Sequence, residues 1–160
     1  MNASEVSISR CDFARPAHRQ AIGDLINAYI NDRMGGGEPL TPDVSERLVA
    51  SLATHPTVLV LLAERGDVPI GLLTAFENVS TFTARPMMNI HDLFVYPAYR
   101  RCGLARRLME ALIDEARRRK CSRITLEVRQ DNLRAQALYN DLGFRCPEPP
   151  MIYQRLNLNA

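Results

Sequence analysis

Phe94-Val95-Tyr96-Pro97-Ala98-Tyr99-Arg100-Arg101-Cys102-Gly103-Leu104-Ala105-Arg106-Arg107 joins an apolar, strand-like run to the start of a helical one. Arg100, Arg101, Arg106 and Arg107 surround Gly103. A glycine turn that feeds a helix leaves the first backbone N–H groups outside the helical ladder. It aims them one way, with the positive end of the helix dipole behind them. Such a turn is an anion cradle suited to phosphate. Without a Cβ at Gly103 the backbone can approach a diphosphate closely. Amides from Arg101 to Arg106 can converge on its oxygens, and Arg100, Arg101 or Arg106 can add charge-assisted bonds.

Outward from this turn the pattern is regular. Met88 to Tyr96 is a strand, and Leu104 to Lys120 is a helix with Leu104, Leu108, Leu112 and Ala116 in one row. Arg117, Arg118, Arg119 and Lys120 complement the negative end of its dipole. Arg123 to Arg129 is the next strand, so this unit is expected to be a right-handed parallel crossover. Upstream, Glu5 to Phe13 alternates as a first strand. A helix opening at Pro16 carries the one-sided stripe Ile22, Leu25, Ile26, Tyr29 and Ile30. Gly35-Gly36-Gly37 breaks it. Thr41 caps a second helix, with Pro42 at its first position, Asp43 against the dipole, and the buried row Val44, Leu48 and Leu52. Thr57 to Arg65 and Val68 to Glu77 form a hairpin about Gly66-Asp67, and a polar connection runs from Asn78 to Pro86. Downstream, Asp131 or Asn132 caps a helix that runs through Leu142 and ends at Gly143. Phe144 to Cys146 and Met151 to Leu158 read as two short strands around Pro147-Glu148-Pro149-Pro150. The order is β-α-α-β-β-β-α-β-α-β-β, and a central sheet with helices on both faces is its natural packing.

Composition narrows the class. The 160 residues, 46% hydrophobic and 24% charged, suit one soluble domain over 1–160. A net charge of +2 is too small for the basic face of a nucleic-acid binder. No apolar run reaches the roughly 20 residues a membrane span needs. Met1 to Glu5 lacks the basic and apolar regions of a secretory leader. Cys11, Cys102, Cys121 and Cys146 have neither metal-site spacing nor disulfide density, so they are read as reduced thiols in the cytoplasm.

The turn Arg100-x-x-Gly103-x-Ala105 is followed, after a strand, by Asn132-Leu133-Arg134-Ala135-Gln136-Ala137-Leu138-Tyr139-Asn140-Asp141-Leu142-Gly143-Phe144. Together they resemble the GNAT superfamily of acyl-CoA-dependent N-acetyltransferases. The turn resembles that family's pyrophosphate signature, and the later segment resembles its Asn … Leu-Tyr … Gly-Phe tail. The resemblance implies an α/β fold with a mixed, mostly antiparallel sheet of six to seven strands. It implies acetyl-CoA as cosubstrate, no metal, and an amine acceptor. It also extends to a homodimer formed through the C-terminal strands.

The resemblance assigns roles residue by residue. Arg100, Arg101, Cys102, Gly103, Leu104, Ala105 and Arg106 would hold the pyrophosphate. The pantetheine arm would pair with the backbone of Leu93, Phe94 and Val95, as an extended ligand adds to a strand edge. Leu93 or Val95 would supply the oxyanion-stabilising N–H. Asn132 would bond the arm, or act as an N-cap. Tyr139 would stand near the CoA sulfur as general acid. Phenol (pKa about 10) to thiolate (about 8.5) transfer is uphill by about 2 kcal/mol, which favours hydrogen-bond stabilisation over full transfer.

An acceptor amine of pKa about 10.4 is only about one part in 2,500 neutral at pH 7, so a base is needed. Glu127 is the candidate, since Leu126-Glu127-Val128 resembles the base-bearing stretch of ribosomal-protein N-terminal acetyltransferases. Asp92 and His91 are its rivals. By resemblance the acceptor pocket lies between the first two helices and the last two strands. Gly35-Gly36-Gly37-Glu38 would then serve as a lid, with Asp32, Glu38 and Glu77 attracting a cation. No nucleophile triad is visible, which fits direct attack in a ternary complex. The alternative is a module that binds or senses acyl-CoA without chemistry.

Overall fold

The computed structural model describes residues 6–158. The expectations for Glu5 and for Met1 to Glu5 fall outside that range. The chain divides into two compact units, one ending at Leu126 and one beginning at Glu127.

The first unit is a five-stranded sheet in the order β1-β2-β3-β4-β5: β1 (Val6–Arg10), β2 (Val58–Arg65), β3 (Val68–Ser80), β4 (Arg85–Val95) and β5 (Ile124–Leu126). The first three pairings are antiparallel, and β4 with β5 is parallel. Helices α1 (Pro16–Ile30) and α2 (Pro42–Thr54) connect β1 to β2, and α3 (Leu104–Arg118) carries the crossover from β4 to β5. Val58 to Ala63 in β2 is buried throughout, because both of its faces are covered. Val58, Val60, Leu62, Leu72 and Phe94 meet Ile22, Leu25, Val49 and Leu52 of α1 and α2. The residues between them, Leu59, Leu61 and Leu73, face the opposite side, where the buried row Leu104, Leu108 and Leu112 of α3 lies across β1 to β4.

A polar network pins β1, β2 and α1 together. The Asp12 N–H donates to His18 Nδ1 at 2.9 Å, which leaves Nε2 to carry the ring proton, 3.0 Å from Glu64 Oε1. The Ser9 hydroxyl donates to the other Glu64 oxygen. His18 is 2% and Glu64 5% exposed, so these bonds are made where water does not compete.

The second unit holds α4 (Leu133–Asp141). Asn132 caps it by accepting the Ala135 N–H at 3.2 Å, and Gly143, at φ +94°, turns the chain beyond its end. Met151, Ile152, Leu156 and Leu158 are more than four-fifths exposed.

Several expectations need correction. The sheet has five strands rather than six to seven, because neither Phe144–Cys146 nor 151–158 forms one. Pro147, Pro149 and Pro150 remove ladder donors there. The fifth strand is Ile124–Leu126 rather than Arg123–Arg129, and Val128 beyond it is 38% exposed. The expected polar connection from Asn78 to Pro86 is mostly hairpin: β3 and β4 stay paired out to Ser80 and Arg85, since paired backbones need no apolar face. Thr41 sits at the N-cap of α2, but its hydroxyl donates to Asp43 instead of capping the helix. No helix among the described residues is long and apolar enough to cross a membrane.

Replacing Glu64 by Ala would leave the His18 Nε2–H and the Ser9 hydroxyl without acceptors in a dry site. Urea unfolding should show a loss of about 2–4 kcal/mol, against about 0.5 or less for Glu46→Ala on the exposed face of α2.

Candidate active site

β4 is bonded to β3 from Arg85 to Val95, but to β5 only at Met88, Asn89 and Ile90. The register shifts between Thr74 and Ala75, which face Asp92 and Ile90, so His91 is an extra residue in β4. A bulge of this kind bends a strand and ends pairing on its far side. Beyond it, among the described residues, the β5-side edge of β4 runs without a ladder partner to Val95. The Tyr96 N–H donates to Ile70 O at 3.1 Å, on the β3 side. By alternation the Phe94 N–H also points to β3, while the Leu93 and Val95 N–H groups point to the open edge. Gly71 permits this arrangement: a Cβ there would stand 2.9 Å from Phe94 O.

The chain leaves β4 through a single 3-10 turn, Pro97–Tyr99, and enters α3 at Gly103. Arg101 has φ +66° and Gly103 φ +81°, a left-handed reversal that only glycine adopts readily. Nothing lies within 4 Å of where a Gly103 Cβ would be. The first helical bond runs from the Arg107 N–H to Gly103 O at 3.0 Å, so the Leu104 and Ala105 amides precede the ladder. Among the described residues no side chain caps this end, and no acid sits in its first turn. Cys102 donates its thiol to Tyr99 O at 2.8 Å. Arg107 donates to Val6 O at 2.7 Å, which ties the start of α3 to β1. Arg101 is exposed, and Arg106 is half-buried.

Arg100 is committed elsewhere. Its Nε donates to Val95 O at 2.8 Å, its terminal nitrogen reaches Asp32 Oδ2 at 2.6 Å, and its guanidinium lies 5.3 Å from the Phe94 ring centre. Burial works to raise the Asp32 carboxyl. The Met34 N–H and Arg100 outweigh it and hold the group below its ordinary value. Arg100 therefore joins the end of the open edge to the turn after α1. Leu40 is tied back as well, its N–H donating to Asn27 Oδ1 at 2.9 Å. The segment carrying Gly35-Gly36-Gly37 is thus fastened at both ends.

On the α1/α2 face of β4, two residues before Phe94, stands Asp92, whose Oδ2 accepts the Thr74 hydroxyl. Burial pushes its carboxyl up, only partly offset by the Thr74 hydroxyl and by His91. His91 is exposed and packs edge-on against Phe76, with ring centres 4.7 Å apart. Of the acids expected to attract a cation, Asp32 is bound to Arg100 and Glu77 to Arg119, at 2.9 Å. Glu38 is exposed.

In the second unit, Glu127 is exposed just past the end of β5. The Asn132 side chain is engaged as the α4 cap. Tyr139 is half-buried, with its ring centre 5.9 Å from that of Phe144. The structure thus brings Leu93, Phe94, Val95, Arg100 and the Gly103 turn together. Sequence reasoning missed the Asp32–Arg100 pair and the Thr74–Asp92 bond. Neither leaves a local signal, since the partners are 68 and 18 residues apart.

A carboxyl whose folded pKa is depressed stabilises fully above its unfolded pKa and loses that effect as pH falls through the folded value. The stability gap between the parent protein and Asp32→Asn should therefore be widest above about pH 5 and shrink as pH drops below the ordinary 3.8. Thermal unfolding across pH 2–7 checks the sign.

The chain is similar to known proteins in sequence and in fold. A model of the acetyltransferase (GNAT) family matches residues 24–144. An uncharacterized N-acetyltransferase, YhfO of Bacillus subtilis, is 30% identical over 113 residues, covering 71% of this chain and 74% of that one. The N-alpha-acetyltransferase RimI of Mycobacterium tuberculosis is 34% identical over 112 residues, covering 69% and 64%. Among solved structures, AAC(6')-Iy in complex with a CoA-linked bisubstrate analog superposes with a TM-score of 0.74 at 17% identity, covering 95% of this chain and 99% of that one. With the family match running from within α1 through α4, the protein belongs to the acetyltransferase (GNAT) family of acyltransferases.

Proposed function

We propose that this protein transfers an acetyl group from acetyl-CoA to a primary amine by direct attack in a ternary complex, as one catalytic domain over 1–160. The observation that carries the reading is the uncapped start of α3 at a left-handed glycine, one short turn beyond an open strand edge. Amides at Gly103, Leu104 and Ala105, with Arg101, Cys102 and Arg106 beside them, take the pyrophosphate. The pantetheine arm lies along Leu93, Phe94 and Val95. The outward N–H of Leu93 or Val95 bonds the carbonyl oxygen as negative charge gathers on it. Arg100 acts by fixing Val95 rather than by touching phosphate.

The amine nitrogen forms the new C–N bond, the C–S bond breaks, and the departing sulfur takes a hydrogen bond or proton from Tyr139. The resemblance assigns Asn132 to the arm as well, through its side-chain amide N–H, since its Oδ1 caps α4. For the amine proton, Asp92 has the stronger support, because a half-buried carboxyl with a raised pKa is a better base than an exposed one. Glu127 is the second candidate. The cytoplasmic setting is supported by four free thiols.

Calorimetry tests the cradle: acetyl-CoA should bind, and absence of heat at millimolar concentration would remove the reading. Release of thiol with an amine panel tests the chemistry, and binding without turnover would leave a CoA-binding module. Tyr139→Phe should lower kcat at least about tenfold with little change in acetyl-CoA affinity. The acid limb of the rate profile should inflect above the ordinary 3.8 of a carboxyl, since Asp92 must be ionised to accept a proton, and Asp92→Asn should abolish that limb.

A further inference from the structure

We propose that the acceptor is a primary amine with a single positive charge on an apolar or aromatic body, its ammonium received by Asp92 and its body by the rings of Phe76, His91 and His55. This rests on the transferase reading above and names the substrate class for it.

Charge supply is the first argument. A polyamine or an aminoglycoside brings several ammonium groups, and each one left unpaired in a partly buried site costs free energy. The buried and half-buried acids of this unit are mostly spent. Asp32 is held by Arg100, Glu77 by Arg119, and Glu64 by His18 and Ser9. Asp24 accepts from Gln20 on the exposed side of α1. Asp92 gives one oxygen to Thr74, and among the described residues its other oxygen takes no further hydrogen bond. Glu38 and Asp24 are exposed to water, so among the described residues Asp92 is the half-buried carboxylate on this face with no ion-pair partner, open to one ammonium.

The second argument is the frame around that oxygen. Thr74 and Phe76 share a face of β3, about 7 Å apart, so Phe76 lies diagonally across from Asp92. Phe76 meets His91 at 4.7 Å and His55 at 4.8 Å, both edge to face. His55 and His91 are exposed and Phe76 half-buried, so the trio forms a surface rather than core. Along β4 in the other direction stands Phe94, packed by Tyr29 and Tyr96 at 5.7 Å each. A lone acid set among rings suits a cation whose flank is apolar, since ring faces attract ammonium and ring edges pack hydrocarbon. It does not suit a hydroxyl-rich polycation.

The test is thiol release at saturating acetyl-CoA with 2-phenylethylamine, phenylalaninamide, spermidine and kanamycin. Either of the first two should exceed both of the last two in kcat/KM by at least about tenfold. Which of the two leads distinguishes a free arylalkylamine from a peptide-like α-amine. Phe76→Ala should raise the KM for 2-phenylethylamine about fivefold or more while moving that for ethylamine less than about twofold. General damage would not give that split. Asp92→Asn should raise the KM for both amines with acetyl-CoA affinity within about twofold of the parent. Preference for spermidine or kanamycin overturns this proposal and leaves the transferase reading intact. Bound acetyl-CoA with no thiol release from any amine overturns both.

Discussion

Strand β4 is held along one edge and released along the other. Its bonds to β3 run the whole length, while its bonds to β5 stop at Ile90. The extra residue at His91 is the local cause. Two residues on β4 face one on β3, the strand bends, and the parallel ladder to a three-residue β5 goes no further. Everything on the candidate site follows from that asymmetry. The amides of Leu93 and Val95 face outward because those of Phe94 and Tyr96 are spent inward. The close approach of β3 that holds β4 in place requires Gly71, where any side chain would meet Phe94 O.

The arginines around Gly103 divide their labour in a way that charge alone does not indicate. Arg107 fastens α3 to β1 through Val6 O, and Arg100 fastens the turn after α1 to Val95 O through Asp32. Arg107 and Arg100 are therefore structural ties, and Arg101 and Arg106 stand beside the turn. Anion attraction there falls chiefly to backbone amides and the helix end, which are fixed in direction and need no reorganisation. A side chain that is already bonded to carbonyl and carboxylate contributes by holding the edge still.

How far the candidate site was legible depends on how local each cause is. Gly103 before the row Leu104, Leu108 and Leu112 declared both the turn and the helix, and Asn132 with Gly143 marked both ends of α4. The Asp32–Arg100 tie was hidden because Asp32 looks like any acid at a helix end. Glu127 fell inside the expected strand Arg123–Arg129, yet pairing ends at Leu126. Asp92 was visible as a rival base but without its environment: only the packed fold supplies Thr74 opposite it and the burial that raises its carboxyl.

The sequence by itself determined the element types of the first unit, the glycine turn and the apolar faces of α1 and α3. Those are set by φ/ψ preference and by periodicity, which act over a few neighbours. Tertiary structure alone decided where β4 and β5 part, which cations are spent on ties, and which acid is half-buried beside a hydroxyl. Strand register, desolvation and ion pairing depend on what lies across space, and the residues concerned stand tens of positions apart in the chain.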